Sequence, residues 1–386
     1  MSLDIADNIR HHGFKRLLLA VSGGLDSICL AHYFICNKEA FGIEWLGIAH
    51  VHHGLRVGTA DRDAAFVEAF ARKYNVPFFL KKLDGEALKA AGGSLEENAR
   101  DARYKALEEI FNETEDPRLC GDDNKDVIVT AHHAGDQAET MYMRLRRGTT
   151  LAGLRGIQEF RILSNSQGDA GLASEAPLEG VMEDRATGCN QGETSPTSRL
   201  FRPFLSVTRQ ELLAYARENN LEWVEDESNA DVNFVRNRVR HEMLPRLERE
   251  CPGAATQLCR IAALADKAYG KVMEACERLF GTCLREDDIP HVSITLDKKK
   301  LRKVLLAHEN TDLSEMFRLW LSEKGLRFPI EFFYGHKEPA CVKIPHHAVY
   351  RRRAIVKIGQ SVRICEFDSP EEAEIFVSCG KKNKGL

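Results

Sequence analysis

The stretch Arg16–Leu30, RLLLAVSGGLDSICL, decides the fold. Arg16 to Val21 is a short apolar run of the kind that forms a strand covered on both faces. Ser22-Gly23-Gly24 is a polar, glycine-rich turn, and Ile28, Leu30, Tyr33 and Phe34 then recur at helical spacing. Two glycines let backbone N–H groups approach phosphate oxygens, and the N-terminus of the following helix adds a dipole that favours an anion. The hydroxyls of Ser22 and Ser27 supply further donors. Asp26 is misplaced beside phosphates unless Mg²⁺ lies between them, so it is read as a metal or water ligand. A plain strand–helix turn is the bland alternative for SGG alone. The strand, the hexapeptide Ser22-Gly23-Gly24-Leu25-Asp26-Ser27 and the helix together favour phosphate binding.

Outward from this stretch the same pattern repeats. Trp45–Val51 (WLGIAHV) reads as a strand, about 61–74 as a helix, and Val76–Lys81 (VPFFLK) as the next strand. Ser94 and Glu97 form a capping box before a helix carrying Arg100, Arg103 and Leu107. The run Asp126–Ala131 (DVIVTA) then delivers its end to His132 and His133. Strands alternating with helices predict an α/β fold, a doubly wound parallel sheet covered by helices. Residues 164–199 lose periodicity and read as a mobile surface insertion. A second capping box, Thr208 to Glu211, opens another helix, and an arginine-studded helix is expected from Val235 to Arg249. Beyond Pro252 the chain is mostly helical, then β-leaning from about His291. The expected organisation is a nucleotide domain over 1–205, a helical region over 206–290 and a small C-terminal α+β region over 291–386.

Composition excludes several classes. With 43% hydrophobic and 29% charged residues the chain is neither disordered nor fibrous. No run approaches the roughly 18 apolar residues of a membrane span, and the N-terminus lacks a secretory layout, so no membrane partner is expected and the cytoplasm is the default compartment. Eleven cysteines without a C-x-x-C pair indicate neither a zinc ribbon nor a disulfide framework, and most are expected to be buried thiols. A net charge of −4 leaves polyanion binding to local patches. Arg236, Arg238, Arg240, Arg246 and Arg249 make the dense basic helix of the central region, although interleaved Glu242, Glu248 and Glu250 also suit a solvated face. Tyr350-Arg351-Arg352-Arg353 is a second candidate patch.

The lysine of a Walker A loop is absent, and the Ser22–Ser27 hexapeptide resembles instead the PP-loop of ATP pyrophosphatases. Further blocks resemble one branch of that superfamily, the tRNA(Ile)-lysidine synthetases: 50–56 (HVHHGLR), 99–104 (ARDARY), 130–140 (TAHHAGDQAET), 146–148 (RRG), 202–204 (RPF), 225–229 (EDESN) and 236–240 (RNRVR). They cover roughly residues 17–247. The resemblance implies a sheet of the adenine nucleotide alpha hydrolase type. It also implies ATP-dependent ligation of lysine to the wobble cytidine of tRNA(Ile) with a CAU anticodon, through an adenylated cytosine. ATP with Mg²⁺, tRNA(Ile) and free lysine are then the expected partners, and a homodimer stays open.

Carried over by residue, Ser22, Gly23, Gly24, Leu25, Asp26 and Ser27 bind ATP, with Asp26 on the metal. Asp26, Arg100, Arg103 and His132 are the catalytic candidates, an arginine serving the α-phosphate. Asp136 and Glu139, one helical turn apart, would bind lysine, and Arg202, Arg236, Arg238 and Arg240 tRNA. The chain departs from the family where Gly135 replaces the first member of an acidic pair before Gln137. The alternatives are a tRNA thiolation enzyme, for which a cysteine pair is missing, a small-molecule synthetase, for which the RNRVR block is superfluous, and an RNA-binding protein with a dead ATP loop, against which Asp26, Asp136 and Glu139 argue.

Overall fold

The computed structural model describes residues 3, 5–52, 54, 59–92, 95–114, 126–163, 199–225, 235–281, 284–285, 293–297, 300, 304, 313–323, 334–335, 338–342, 347–350, 353–358 and 361–366. The chain divides into two compact units, Met1–Ala263 and Leu264–Leu386.

In the first unit, helix α1 (Ala6–His12) precedes strand β1 (Arg16–Ala20), which runs through the Ser22–Gly24 turn into α2 (Leu25–Cys36). Then follow β2 (Trp45–His52), α3 (Thr59–Lys73), β3 (Phe78–Lys82), α4 (Gly85–Ala90), α5 (Leu95–Glu113), β4 (Asp126–Val129) and α6 (Ala134–Arg147). The short α7 (Leu151–Leu154), β5 (Phe160–Ile162), β6 (Arg199–Phe201) and α8 (Arg209–Glu218) complete this part. The sheet order is β3-β2-β1-β4-β6-β5. All pairings are parallel except the β5–β6 edge, which is antiparallel.

The three consecutive leucines of β1 explain why its sequence is apolar throughout. Leu17 and Leu19 face the core shared with α2 and α8, whereas Leu18 joins Ala49, Ile128 and Leu200 under Tyr104, Leu107 and Ile110 of α5. Each leucine is fully buried, which stabilises by about 1.5–3 kcal/mol per side chain. Helices α2 and α5 therefore cover opposite faces of the sheet. β2 lies beside β1 on one side and β4 on the other, so the crevice beyond the ends of β1 and β4 is the point at which chain direction reverses, where doubly wound sheets bind ligands.

The Thr208 capping box forms as expected: Thr208 Oγ1 accepts from the Glu211 amide at 3.2 Å and Glu211 accepts from the Thr208 amide at 2.8 Å. Ser94 lies outside the described residues, as do 226–229 and 164–198; of the expected insertion only Arg199, the start of β6, is described. The arginine-studded segment is not one uninterrupted α-helix. It runs as α9 (Val235–Arg238), a π-helical turn over Val239–Met243, and α10 (Leu244–Glu250). A π-turn adds a residue per turn and re-aims the side chains on either side of it. The expectation of mostly buried thiols fails among the five cysteines whose burial is described: Cys29 and Cys276 are buried, Cys259 is intermediate, and Cys36 and Cys251 are exposed.

Helix α11 (Ala254–Phe280) begins in the first unit and ends in the second. The second unit contains a five-stranded antiparallel sheet in the order 347–350, 353–358, 361–366, 293–297, 284–285. The helix Leu313–Glu323 buries Phe317 and Trp320 against Phe280. No described helix is long and apolar enough to cross a membrane.

Candidate active site

The Ser22–Ser27 turn is held open by its own hydrogen bonds. Ser27 Oγ accepts from the amides of Ser22 and Gly23, both at 3.2 Å, and donates to the Gly24 carbonyl at 2.9 Å. Gly23 adopts φ +98°, which only glycine does without strain, and an added Cβ would meet Val67 Cγ2 at 3.4 Å. Ser27 is thus committed to shaping the loop, which leaves Ser22, Gly24 and the first turn of α2 toward the crevice.

Asp26, on that first turn, faces His133 and Arg209. Its Oδ2 is 3.6 Å from His133 Nε2 and 3.7 Å from Arg209 Nη1. Its Oδ1 is buried and has no hydrogen-bond partner among the described residues. Burial pushes the Asp26 carboxyl up from its ordinary value, against the opposing pull of His133 and Arg209. A half-solvated carboxylate with one orphaned oxygen is a ready ligand for a cation. No cluster of three or more metal-ligating side chains occurs among the described residues. Asp26 is the residue of this loop that could hold a divalent cation, with phosphate and water as its other ligands.

His133 is the N-cap of α6, a role the sequence reading did not assign to it. Its Nδ1 accepts from the Gly135 amide at 2.9 Å, while its own amide donates to Asp136 Oδ2 at 3.0 Å. Because Nδ1 accepts, Nε2 carries a proton, which is aimed at Asp26 and Asp136. Gly135 now has a reason: a Cβ there would lie 2.6 Å from His133 Cε1 and 3.0 Å from Nδ1. Gly135→Ala is accordingly expected to swing the ring off Asp26 and to lower pyrophosphate release by on the order of tenfold, the cost of one charge-assisted contact. A variant that releases pyrophosphate at the full rate would show that the ring position is immaterial.

Asp136 and Glu139 lie together on α6, as their spacing requires, but they are already engaged. Arg236 donates from Nε to Glu139 Oε2 at 2.8 Å and from Nη2 to Asp136 Oδ1 at 2.9 Å. Arg240 donates from Nε to Glu139 Oε1 at 2.5 Å and from Nη2 to Asp136 Oδ1 at 3.2 Å. Glu139 is 2% exposed. Burial opposes ionisation of Asp136, yet His133 and Arg236 hold its carboxyl well below the usual carboxylate range. Two arginines read from sequence as RNA contacts thus close on the two acids read as lysine contacts. Arg238 between them is exposed and directed elsewhere, and Arg246 pairs with Glu250 at 2.9 Å.

On the other face of the sheet Arg100, Arg103 and Arg202 gather round Tyr104, joined by Arg161, which no sequence motif marked. His132 lies between this group and the acids. Its Nδ1 is 3.0 Å from Thr130 Oγ1, and burial, reinforced by Arg202 and Arg103, keeps the ring well below its ordinary pKa and so neutral. Arg202 is 4% exposed and donates from Nη1 to the Gln158 carbonyl at 2.5 Å. No sequence motif marks Arg209 or Arg161 as a site residue, because each lies far along the chain from the residue it meets, Asp26 and Tyr104 respectively.

Residues 2–247 match the family described as the PP-loop domain. Among curated relatives, a tRNA(Ile)-lysidine synthase of Pseudomonas aeruginosa is 32% identical over 313 residues, covering 79% of this chain and 58% of that protein. A tRNA(Ile)-lysidine synthase of Geobacter sulfurreducens is 35% identical over 266 residues, covering 67% and 46% respectively. One of Bacillus subtilis is 29% identical over 327 residues, covering 82% and 55%. The chain thus spans about half the length of these relatives, and the matching region is the one that carries the Ser22–Ser27 loop and its crevice. On the extent of that match, the chain belongs to the PP-loop domain family.

Proposed function

We propose that this chain is a tRNA(Ile)-lysidine synthetase, which ligates lysine to the wobble cytidine of tRNA(Ile) with a CAU anticodon at the expense of ATP. The observation that carries this reading is Asp26, with its orphaned buried oxygen, at the mouth of a glycine-rich loop and facing the His133–Asp136 edge of α6. The names of the relatives support the choice of substrate.

A cytosine carbonyl oxygen is a poor leaving group until it carries a phosphoryl substituent. In the first step that oxygen attacks the α-phosphorus of ATP and pyrophosphate leaves. The Ser22 hydroxyl, the Gly24 amide and the α2 N-terminus would hold the departing pyrophosphate. Asp26 would hold Mg²⁺, which when bound neutralises phosphate charge. Arg100 or Arg103 is the candidate to meet the α-phosphate, and neutral His132, beside them, offers an uncharged ring to the acceptor base.

In the second step the lysine ε-amine attacks the activated ring carbon and AMP leaves. That amine has an ordinary pKa near 10.4 and must shed a proton to attack. Asp136 and Glu139 are the groups proposed to hold a lysine ammonium, which requires their arginine partners to yield. Arg238, exposed between them, is the arginine of this segment best placed for an RNA phosphate. The region beyond Pro252 carries none of the resembling blocks and is proposed to hold tRNA without taking part in the chemistry.

Nucleoside analysis of tRNA(Ile) incubated with the protein, ATP and labelled lysine tests the reading. Lysidine carrying the label is expected. Pyrophosphate release without lysine incorporation would leave a PP-loop enzyme with a different acceptor.

A further inference from the structure

We infer that Arg100, Arg103, Arg161 and Arg202 form one pocket for a phosphate ester, organised round the hydroxyl of Tyr104, on the face of the sheet opposite α2. The inference rests on the proposed use of ATP and RNA but extends the site to Arg161 and Tyr104, which no motif singles out.

The geometry is that of guanidinium groups converging on one buried ring. The guanidinium carbons of Arg103, Arg161 and Arg100 lie 5.3, 5.6 and 5.9 Å from the centre of the Tyr104 ring. Tyr104 is 6% exposed, and Arg202 is the cation that acts most strongly on its hydroxyl. Arg202 is buried, and its Nε has no hydrogen-bond partner among the described residues. Exposure rises from buried Arg202 through half-buried Arg103 and Arg161 to exposed Arg100. Guanidinium groups repel one another and lose hydration on burial. Their convergence on one point is sustained when an anion with several acceptor oxygens sits among them, and the planar fork of arginine matches phosphate oxygens.

Tyr104 supplies a resident acceptor for these cations in the ligand-free protein. Burial alone would raise the phenol, yet Arg202, Arg103 and Arg100 outweigh it and bring it down to about 7. The groups facing the ring are Arg100 and Arg103 of its own helix, Arg161 of β5 and Arg202 after β6, with Glu108 near Arg161 and the neutral His132 near Arg202 and Arg103. A phosphate ester arriving among the arginines makes an adjacent phenolate unfavourable, so Tyr104 takes up a proton as the ester binds. Affinity for the ester therefore falls as pH rises through neutrality.

The ester can come from the α-phosphate of the nucleotide or from a phosphodiester of the RNA. The full chain would be titrated separately with a non-hydrolysable ATP analogue and with an anticodon stem–loop RNA, for wild type, Arg161→Ala and Tyr104→Phe. Arg161→Ala should weaken one probe by on the order of tenfold or more and leave the other unchanged. Loss confined to the analogue assigns the pocket to the nucleotide, and loss confined to the RNA, with a flatter salt dependence, assigns it to a phosphodiester. Calorimetry of the affected probe at pH 8, in buffers of different ionisation heat, should show proton uptake in wild type that Tyr104→Phe lacks. Where Arg161→Ala melts early, Arg161→Lys, which keeps the charge and loses the fork, takes its place. Unchanged affinity for both probes, or undiminished proton uptake in Tyr104→Phe, would overturn the inference, whereas failure to form lysidine with either probe still bound would count against the proposed reaction alone.

Discussion

Asp26→Ala is expected to abolish ATP-dependent pyrophosphate release while leaving the fold as stable as before. The two halves of this expectation have one physical origin. The carboxylate makes no hydrogen bond through Oδ1, and burial raises its pKa, so the folded protein disfavours the charged group that it carries. A group whose folded pKa is raised above its unfolded value costs stability once it ionises, and its removal at neutral pH should leave the melting temperature unchanged or slightly higher. The compensating gain comes when a cation and a triphosphate are present, and that is what the variant loses. Removing a metal ligand at a phosphoryl-transfer centre is expected to lower the rate on the order of a thousandfold or more. Asp26→Asn, which keeps the volume, should be nearly as inactive. The same raised pKa predicts that wild-type activity declines as acid protonates Asp26, at higher pH than an ordinary aspartate would give. Pyrophosphate release at the wild-type rate by either variant would remove Asp26 from the site.

The parts of this molecule legible in its sequence are those in which chemistry and periodicity coincide over a few consecutive residues. Arg16–Ser27 could be read because a doubly buried strand must be apolar throughout and because glycines at a tight turn have few substitutes. The Thr208 box was legible because a hydroxyl and a carboxylate three residues apart satisfy two helix-end amides. His133 escaped notice in the same role because histidine is seldom the N-cap residue, and its suitability depends on Gly135 leaving room for the ring. Arg161 and Arg202 reach Tyr104 only through the antiparallel edge pairing of β5 with β6, a three-residue ladder too short to leave a periodic signal. The arginines of the 236–240 block were visible as charge but not as partners. Their direction is set by a π-turn and by acids about a hundred residues earlier, and neither is encoded in local spacing.

Those arginines bear on lysine recognition, where the second large effect is expected. Asp136→Asn and Glu139→Gln should each raise the apparent KM for lysine by about ten- to a hundredfold, the worth of one charge-assisted contact of about 1.5–3 kcal/mol, with tRNA-dependent adenylation still measurable. In the free protein the acids already accept from both Arg236 and Arg240, with Glu139 buried. An incoming ammonium must therefore displace a guanidinium, and the displaced arginine needs another anion, which an RNA phosphate can provide. Lysine should then bind weakly to the protein alone and more tightly once RNA is present. Arg236→Ala combined with Arg240→Ala strips the acids of their partners, and leaving buried carboxylates unpaired should cost about 3–5 kcal/mol of stability. Added lysine should restore part of that loss, because a ligand that binds only the folded state raises its stability with concentration. The lysine-induced rise in melting temperature should thus be larger in the double variant than in wild type, and absent when Glu139→Gln is added. If instead lysine leaves the melting temperature of the double variant unmoved, and the acid variants lose adenylation in assays without lysine, then Asp136 and Glu139 serve the ATP end of the crevice by fixing Arg236 and Arg240, and the amino acid binds elsewhere.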